Sequence, residues 1–255
     1  MRNSTLRRIL LFSGIAVMLL QACRKDDEAM MAPPGVSDQS FVEEFDTTAS
    51  AFARGWRPIN TSVPKGQGVW VQGMFNNTAT TGMAYPIPFG PHSSKGSYAG
   101  FIGTDFLSTS AAAGVISNWL ISPIITMQNG DKIVFYTRTA LYALSATDST
   151  DYSNRLQVRM NGKNDGMNVG NGNDVGDFTT TLLDINPDYI EAHTSPALFD
   201  PTAYPIRWTR FEAKIGGLNG PTPARFAFRY YVEGGGSNGL GSGVAIDSVA
   251  YIGKR

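Results

Sequence analysis

Carboxylates stand at two places where a β-strand disfavours them. Glu43, Glu44 and Asp46 lie in the first apolar segment, and Asp247 interrupts the apolar segment nearest the C-terminus. Asp is depleted in strands and is costly to bury without a partner. If the first and last strands are neighbours, a hard cation such as Ca²⁺, held by carboxylates and backbone carbonyls, explains both positions. Solvent-facing or hydrogen-bonded acids are the alternative, and these residues alone do not decide between them.

The chain has two histidines, His92 and His193, and both lie in loop-like surroundings. Neither has the spacing of a metal-ligand pair, so we interpret both as surface residues. Residues 235–239 match the G-x-S-x-G pattern of a nucleophile elbow, and residues 234–239 match the G-x-G-x-x-G pattern. Both patterns require a following helix, and the elbow also requires a later histidine. A strand-like segment follows here, so we predict a glycine-rich hairpin loop and no catalytic residue.

The segments that must position these residues alternate between apolar and polar side chains with a period of two, which is typical of β-strands. Ten segments are predicted as strands: 40–45, 68–72, 98–102, 114–121, 132–139, 155–160, 178–185, 208–215, 225–232 and 243–252. A one-sided strand must bury its apolar face against another layer. The sequence therefore predicts an all-β fold, an antiparallel β-sandwich of two sheets.

Residues 40–255 contain no repeat and no linker, so we predict one domain there. Charged residues make up only 16% of the chain, which suits a secreted β domain with long loops. Two long insertions, 140–154 and 187–204, are predicted as surface loops. Basic and acidic residues are balanced at 21 each, so nothing indicates a nucleic-acid partner.

The first 22 residues have the three parts of a secretion signal. Three arginines form a positive region, an apolar run follows, and the run ends in Leu20-Gln21-Ala22-Cys23. The run is too short to span a bilayer as a mature helix. Its ending has the pattern of a lipobox, and Cys23 is the only cysteine of the chain. We therefore predict a lipoprotein signal peptide at 1–22 and a membrane anchor through lipid on Cys23.

Residues 23–39 are predicted to be an acidic tether and linker. The run Lys25-Asp26-Asp27-Glu28 follows the cysteine closely. It is similar to the acid-rich export signal of surface-exposed lipoproteins in the Bacteroidetes, which implies the outer membrane and the cell surface. A solvated tether whose charges only keep it extended is the alternative.

Short motifs in a fixed order resemble the choice-of-anchor J domains, relatives of the cleaved adhesin and MAM-type jelly rolls. The resemblance runs from about Phe41 to Ile252. Each motif is weak alone, and their order makes the resemblance specific. The motifs are F-V-E-E-F-D at 41–46, G-W at 55–56, S-N-W-L-I-S-P at 117–123, R-L-Q-V-R at 155–159, V-G-D-F-T-T at 175–180, L-D-I-N-P at 183–187, W-T-R-F at 208–211, R-F-A-F-R-Y at 225–230 and A-I-D-S-V at 245–249.

The resemblance implies a jelly-roll β-sandwich with a structural calcium ion. The ligands it implies map onto Asp46, the backbone carbonyl of Glu44, the loop from His92 to Lys95, and Asp247. This chain departs from the pattern in its long insertion after Pro187 and in its Asn/Gly-rich run at 168–174. The resemblance implies no catalytic residue.

We predict a non-enzymatic surface lipoprotein with a carbohydrate-binding-like or adhesion domain, whose partner is a glycan or a host or matrix protein. Exposed aromatic side chains stack on the apolar faces of sugars, and Trp70 and Tyr85 lie in loop-rich segments. They are the candidates for ligand binding, with burial in the core as an equal alternative for Trp70.

Two other functions stay open on the sequence. A glycosidase or peptidase on a jelly-roll frame needs two carboxylates in a cleft, and the sequence names no such pair. A structural subunit of an outer-membrane surface complex would expose an apolar patch.

Overall fold

The computed structural model describes residues 36–74, 83–84, 89–94 and 97–254, with residues 83–84 described by their backbone only. Residues Val36–Arg255 form one compact unit. Three residues singled out in the sequence, Cys23, Tyr85 and Lys95, lie outside the described residues, as do the signal peptide and most of the tether. The predictions that depend on them stay predictions.

The regular secondary structure of the described residues is almost entirely β-strand, with one short α-helix and one 3₁₀ turn. No helix in this part is long and apolar enough to cross a membrane. The elements are β1 (Phe41–Glu43), α1 (Thr48–Ala53), β2 (Arg57–Asn60), β3 (Val71–Met74), β4 (Met83–Ala84), β5 (Ala99–Asp105), the 3₁₀ turn (Phe106–Ser108), β6 (Gly114–Ile121), β7 (Ile125–Met127), β8 (Lys132–Thr139), β9 (Tyr142–Ala143), β10 (Ser149–Thr150), β11 (Leu156–Asn161), β12 (Thr180–Ile185), β13 (Thr209–Lys214), β14 (Thr222–Gly235) and β15 (Gly243–Ile252).

Eight strands form a sandwich of two antiparallel sheets. Their order is β5-β15-β8-β13 in one sheet and β6-β14-β11-β12 in the other. The chain changes sheet at every connection between these eight strands except the one from β11 to β12. Two four-stranded sheets joined in this way form a jelly roll. The predicted all-β, jelly-roll sandwich is therefore confirmed.

The core lies between the two sheets and follows the alternation of the sequence. On β14, Phe226, Phe228, Tyr230 and Val232 point inward and are completely buried. Phe228 meets Phe135 of the opposite sheet edge to face, with ring centroids 4.8 Å apart. Aromatic pairs at this separation add to the free energy gained by burying their surface. The longest strand therefore anchors the interior of the sandwich.

The first and last strands are neighbours, which is the condition on which the calcium interpretation depends. Phe41 pairs with Tyr251 and Glu43 pairs with Val249 across β1 and β15. The pairing of β15 with β8 shifts between Asp247 and Ala250, which is a β-bulge. A bulge re-aims the side chains around it. The segment that follows β1 and the bulge of β15 consequently lie side by side.

Loops cover parts of both outer sheet faces. Over β6, the buried rings of Trp119 and Phe178 pack with centroids 5.6 Å apart. Over β5, Phe89 packs on Phe101 with centroids 5.3 Å apart.

The prediction that residues 140–154 form a surface loop is right for residues 142–149, which are exposed or partly exposed, and wrong for both ends of the segment. It contains the small hairpin of β9 and β10, and Leu141, Thr150, Asp151 and Asn154 are buried. The segment folds back into one end of the sandwich, because its polar residues find hydrogen-bond partners there.

Candidate functional site

A cleft of about 430 Å³ opens at the end of the sandwich where β5 and β14 finish and β15 begins. Phe106 of the 3₁₀ turn, Tyr142 of β9 and Tyr152 form its aromatic lining, and the glycine-rich loop 236–242 forms the other wall. We name this feature the tyrosine cleft. It combines aromatic surface with polar loop atoms, the usual make-up of a small-molecule site.

The two tyrosines of the cleft contact each other. Their ring centroids are 5.9 Å apart with an interplanar angle of 53°. Tyr152 is 38% exposed, so part of its ring is open to solvent. Burial, followed by the negative charge of Asp105, raises the pKa of Tyr142 to about 12. The Tyr142 hydroxyl consequently keeps its proton at neutral pH and remains a hydrogen-bond donor.

The backbone that presents Tyr152 is held in a strained conformation. Tyr152 and Ser153 both have positive φ angles, 53° and 65°, which residues other than Gly rarely adopt. The buried Asp151 carboxylate accepts hydrogen bonds from the backbone N–H of Ser153 at 2.9 Å, Ala192 at 2.8 Å and Asn154 at 3.1 Å. These bonds offset the strain and fix the position of Tyr152.

Asn154 connects this turn to the neighbouring strands. Its side-chain N–H₂ donates to the Thr139 hydroxyl at 2.6 Å and the Ser242 hydroxyl at 2.8 Å. Its side-chain carbonyl accepts from the Tyr230 hydroxyl at 2.8 Å and the Gly243 N–H at 3.0 Å. A fully satisfied buried polar network is rigid and costly to disrupt. The wall of the tyrosine cleft is therefore preorganised rather than mobile.

The glycine-rich loop supplies the polar wall, and its glycines are required by close packing. Gly236 has φ 139°, and a Cβ there would lie 2.3 Å from the carbonyl oxygen of Ala111. The loop leaves the side chains of Ser237 and Asn238 exposed at the cleft. It joins β14 to β15 with no helix after it, as predicted, so the nucleophile-elbow pattern at 235–239 is coincidental.

Asp105 lies next to the cleft at the end of β5. One carboxylate oxygen, Oδ1, accepts a hydrogen bond from the Leu107 N–H at 3.0 Å and caps the 3₁₀ turn. Burial raises the pKa of this carboxyl to about 6, because the charged form loses hydration. Most of the Asp105 carboxyl is therefore ionised at neutral pH.

Asp247, which the sequence predicts as a metal ligand, is completely buried and fully hydrogen-bonded. Its Oδ2 accepts from the backbone N–H of His92 at 2.7 Å and of Ser93 at 3.0 Å. Its Oδ1 accepts from the Ser93 hydroxyl at 3.0 Å and the Ser248 N–H at 2.6 Å. Burial raises the pKa of Asp247 to about 6, and these hydrogen bonds oppose the rise.

The other predicted ligands lie around the same loop. Asp46 accepts from the Ser94 hydroxyl at 2.9 Å. The side-chain carboxylate of Glu44, whose backbone carbonyl is the predicted ligand, accepts from the Ser248 hydroxyl at 2.5 Å. These oxygen atoms suit a hard cation. Among the described residues, however, no three His, Cys, Asp or Glu side chains form a group that could hold a metal ion. A calcium ion here would exchange some of these hydrogen bonds, and the calcium site stays a prediction.

The prediction that Trp70 is an exposed ligand-binding residue is wrong. Its side chain is completely buried, and its indole N–H donates to the backbone carbonyl of Asn118 at 3.2 Å. The core alternative is the correct one. Trp56 and Trp119 are also buried, whereas Trp208 is half-buried on an outer face and donates to the carbonyl of Gly90 at 2.8 Å.

Sequence reasoning missed the two tyrosines that line the cleft. Tyr142 and Tyr152 lie in the segment 140–154, which reads as a polar surface insertion. Nothing in their spacing indicates that they meet, since their approach depends on the buried Asp151 and Asn154. A tyrosine at each end of a long insertion is too common a pattern to identify a site.

A larger cavity of about 610 Å³ lies under the insertion that follows β12. Phe199, Tyr204 and Phe211 line it, and His193 stands at its edge with its ring Nδ1 2.8 Å from the Asp148 carboxylate. Its described lining includes one carboxylate, Asp200. Glycoside hydrolysis normally requires two carboxylates on either side of the bond that breaks, so this lining lacks that arrangement.

Three solved domains are similar to this chain. The K1 cleaved adhesin domain of Lys-gingipain from Porphyromonas gingivalis W83 aligns at 17% identity and TM-score 0.47, covering 85% of this chain and 99% of that domain. The K2 cleaved adhesin domain of Lys-gingipain aligns at 14% identity and TM-score 0.48, covering 84% and 97%. The CBM22-2 xylan-binding domain of Paenibacillus barcinonensis Xyn10C aligns at 11% identity and TM-score 0.40, covering 84% and 99%.

No protein-family model matches the sequence, and no curated protein sequence matches it. The ligand of this chain therefore has to be argued from its own residues.

Proposed function

We propose that this protein is a non-catalytic surface lipoprotein whose jelly roll binds a glycan in the tyrosine cleft. The observation that carries the proposal is the contact of Tyr142 and Tyr152 opposite the exposed polar loop with Ser237 and Asn238. It combines a stacking surface with fixed hydrogen-bonding groups.

Sugars match this combination because their rings have apolar C–H faces and a rim of hydroxyl groups. The exposed part of the Tyr152 ring offers a face for stacking. Ser237 and Asn238 offer hydroxyl and amide groups, each of which both donates and accepts hydrogen bonds. The lining contains no aliphatic side chain among the described residues, so an apolar ligand would gain little from it.

The proposal includes the setting in which the domain acts. We propose that Cys23 carries lipid in the outer membrane, with the domain on the cell surface, and that the chain is a choice-of-anchor J domain with a structural calcium ion. The lipobox pattern at Cys23, the acidic run after it and the ordered motifs between Phe41 and Ile252 support these statements.

Glycan-array binding by a soluble protein of residues 36–255, which form one compact unit, tests the function. We expect binding to a limited set of glycans and its loss in Tyr152→Ala. The matched control is Tyr98→Ala, since Tyr98 is 57% exposed at the opposite end of β5. Binding to no glycan, or equal loss of binding in both variants, would reject the tyrosine cleft as a glycan site.

Adhesion to a host or matrix protein is a second candidate function. Leu198 and Phe199 of the insertion are 54% and 60% exposed beside the larger cavity. Exposed apolar side chains grouped in this way are typical of protein-binding surfaces. Protein binding that survives Tyr152→Ala and is lost in Phe199→Ser would favour this candidate.

A further inference from the structure

Five asparagines of the chain are followed directly by glycine: Asn129, Asn161, Asn171, Asn219 and Asn238. Such a pair is chemically reactive, because glycine has no side chain to hinder its backbone nitrogen from attacking the amide carbon of the asparagine before it. The attack requires a backbone that can move and an asparagine side chain that other groups do not hold. The surroundings of each pair therefore decide whether it reacts in the folded protein.

Four of the five pairs are held by hydrogen bonds. In three of them the glycine N–H, which is the attacking group, donates to a backbone carbonyl: Gly130 to Ile215 at 2.9 Å, Gly172 to Thr61 at 2.8 Å and Gly239 to Gly236 at 3.0 Å. In the fourth, Asn161 is completely buried and its side-chain amide donates to Asn164 at 2.8 Å. Each of these pairs has to break at least one such contact before it can react.

The fifth pair, Asn219 and Gly220, is open. Both residues lie in the loop between β13 and β14, and the Asn219 side chain is exposed. None of the described residues forms a hydrogen bond with the Asn219 side chain or with the Gly220 N–H. A Cβ added at Gly220 would meet no atom of the surrounding structure within 4 Å, so the loop has room to change conformation there.

We propose that Asn219 is a site of spontaneous deamidation and the first of the five asparagines to react in the folded protein. The backbone nitrogen of Gly220 forms a bond to the side-chain amide carbon of Asn219, and the amide nitrogen leaves as ammonia. The N–H proton of Gly220 passes through water to the leaving group. A water molecule then opens the cyclic imide at one of its two carbonyls and gives aspartate or isoaspartate. The reaction consumes one water molecule and releases one ammonia molecule.

The position of Asn219 confines this change to one end of the sandwich. The loop precedes β14, and the other end of β14 carries the tyrosine cleft. Asn238 in the wall of the cleft is held twice, because its own N–H also donates to the carbonyl of Ala112 at 2.9 Å. The cleft therefore keeps its amide, while the opposite end of the sandwich gains a negative charge.

Peptide mapping by mass spectrometry tests the proposal on the protein of residues 36–255 during several weeks at pH 7.4. We expect deamidation at Asn219 to be at least about tenfold faster than at any of the other four asparagines, because those react only after local opening. In urea that unfolds the protein, the five rates should lie within about threefold of one another, since the surroundings of the pairs no longer differ.

Two glycine variants separate the reaction from the stability of the loop. Gly220→Ala should slow deamidation at Asn219 by at least about tenfold, because the added Cβ hinders the attacking nitrogen. The matched control is Gly216→Ala in the same loop, where an added Cβ also meets nothing within 4 Å, and it should keep the wild-type rate. Both variants should stay folded, which their melting curves verify.

Three results would overturn the proposal. The first is another of the five asparagines that reacts as fast as Asn219 in the folded protein. The second is an order of rates that is the same in the folded and the unfolded protein, because the sequence alone would then control the reaction. The third is a wild-type rate of deamidation at Asn219 in Gly220→Ala.

Discussion

At the scale of single residues, the cleft is shaped by buried polar side chains that do not touch the proposed ligand. Asp151 accepts three backbone N–H groups and so holds Tyr152 in its strained conformation. Strain of this kind costs of order 1–3 kcal/mol for each residue. Hydrogen bonds to a charged acceptor contribute about 1.5–3 kcal/mol each, which is enough to offset that cost. Asp151 is therefore a positioning residue.

Asp105 gives a prediction for the pH dependence of stability. Its folded pKa of about 6 lies above the usual value of 3.8. The folded protein therefore holds this proton more tightly than the unfolded chain, so the free energy of unfolding falls as pH rises from about 4 to about 6. Asp105→Asn removes this fall. Between pH 4 and pH 6, we expect the free energy of unfolding of the variant to rise relative to that of the wild type by about 2 kcal/mol or less. The effect is limited because Asp105 is partly exposed.

Urea unfolding of both proteins at pH 4, 5, 6 and 7 measures this difference. Asp247 also has a raised pKa, but it contributes to both proteins and cancels in the comparison. Asp188→Asn changes an exposed residue, so its free energy of unfolding relative to the wild type should not change with pH. If the difference in free energy of unfolding between Asp105→Asn and the wild type stays constant with pH, the raised pKa of Asp105 is contradicted.

At the scale of elements, the sequence predicts the long strands well. All ten predicted segments overlap observed strands, and β6, β8 and β15 have the predicted bounds. Each of these strands carries its own alternating pattern, so local residues determine it. The short strands β2, β4, β7, β9 and β10 and the helix α1 were missed. They depend on pairing partners elsewhere in the chain rather than on a pattern of their own.

The candidate site was harder to predict than the fold for the same reason. Trp70 lies in a loop-rich segment, yet β5 and β6 enclose it, and no local pattern reports that burial. Tyr142 and Tyr152 meet because Asp151 and Asn154 fold their segment inward. Long-range hydrogen bonds of this kind leave no periodic signal in the sequence.

The contact between the segment after β1 and the bulge of β15 gives a prediction about calcium. Asp46 and Asp247 are joined to one loop through Ser94 and Ser93. A cation that binds only the folded state stabilises it by about 2.7 kcal/mol at a hundredfold excess over Kd. For a domain of this size about 1 kcal/mol shifts Tm by roughly 2–4 °C, so chelation should lower Tm by several degrees.

Melting curves with EGTA and with added calcium measure this effect. Asp247→Ala and Asp46→Asn should abolish the calcium response, although Asp247→Ala also loses hydrogen bonds and should melt lower in both conditions. Asp188→Asn should respond as the wild type does. Should the wild-type curve be the same with chelator and with calcium, Asp247 is a hydrogen-bonding residue of the loop contact and not a ligand.

At the scale of the whole molecule, the tyrosine cleft and the entry of the described chain lie at opposite ends of β15. The described chain starts near β1, which pairs with β15 at the end of that strand far from the cleft. Ser40, just before β1, donates to Asp38 and accepts from Gly253, which ties the entry of the chain to the final residues of the domain. The chain therefore enters the domain at the end far from the tyrosine cleft.

The last prediction concerns this anchor. Acyl chains contribute about 0.8 kcal/mol for each buried CH₂, so a multiply acylated N-terminus holds a protein firmly to a membrane. Replacing Cys23 by Ser in the full chain removes the only thiol that can carry lipid. We expect the Cys23→Ser protein to leave the membrane fraction and to lose labelling by a fatty-acid analogue, while its glycan binding and Tm match those of the soluble domain. Changing Lys25, Asp26, Asp27 and Glu28 to Ala is the companion variant: it should stay lipidated and membrane-bound, but should resist protease added to intact cells. Membrane association and fatty-acid labelling that persist in Cys23→Ser would mean that the leader is retained as the anchor, and the lipobox interpretation would then be wrong.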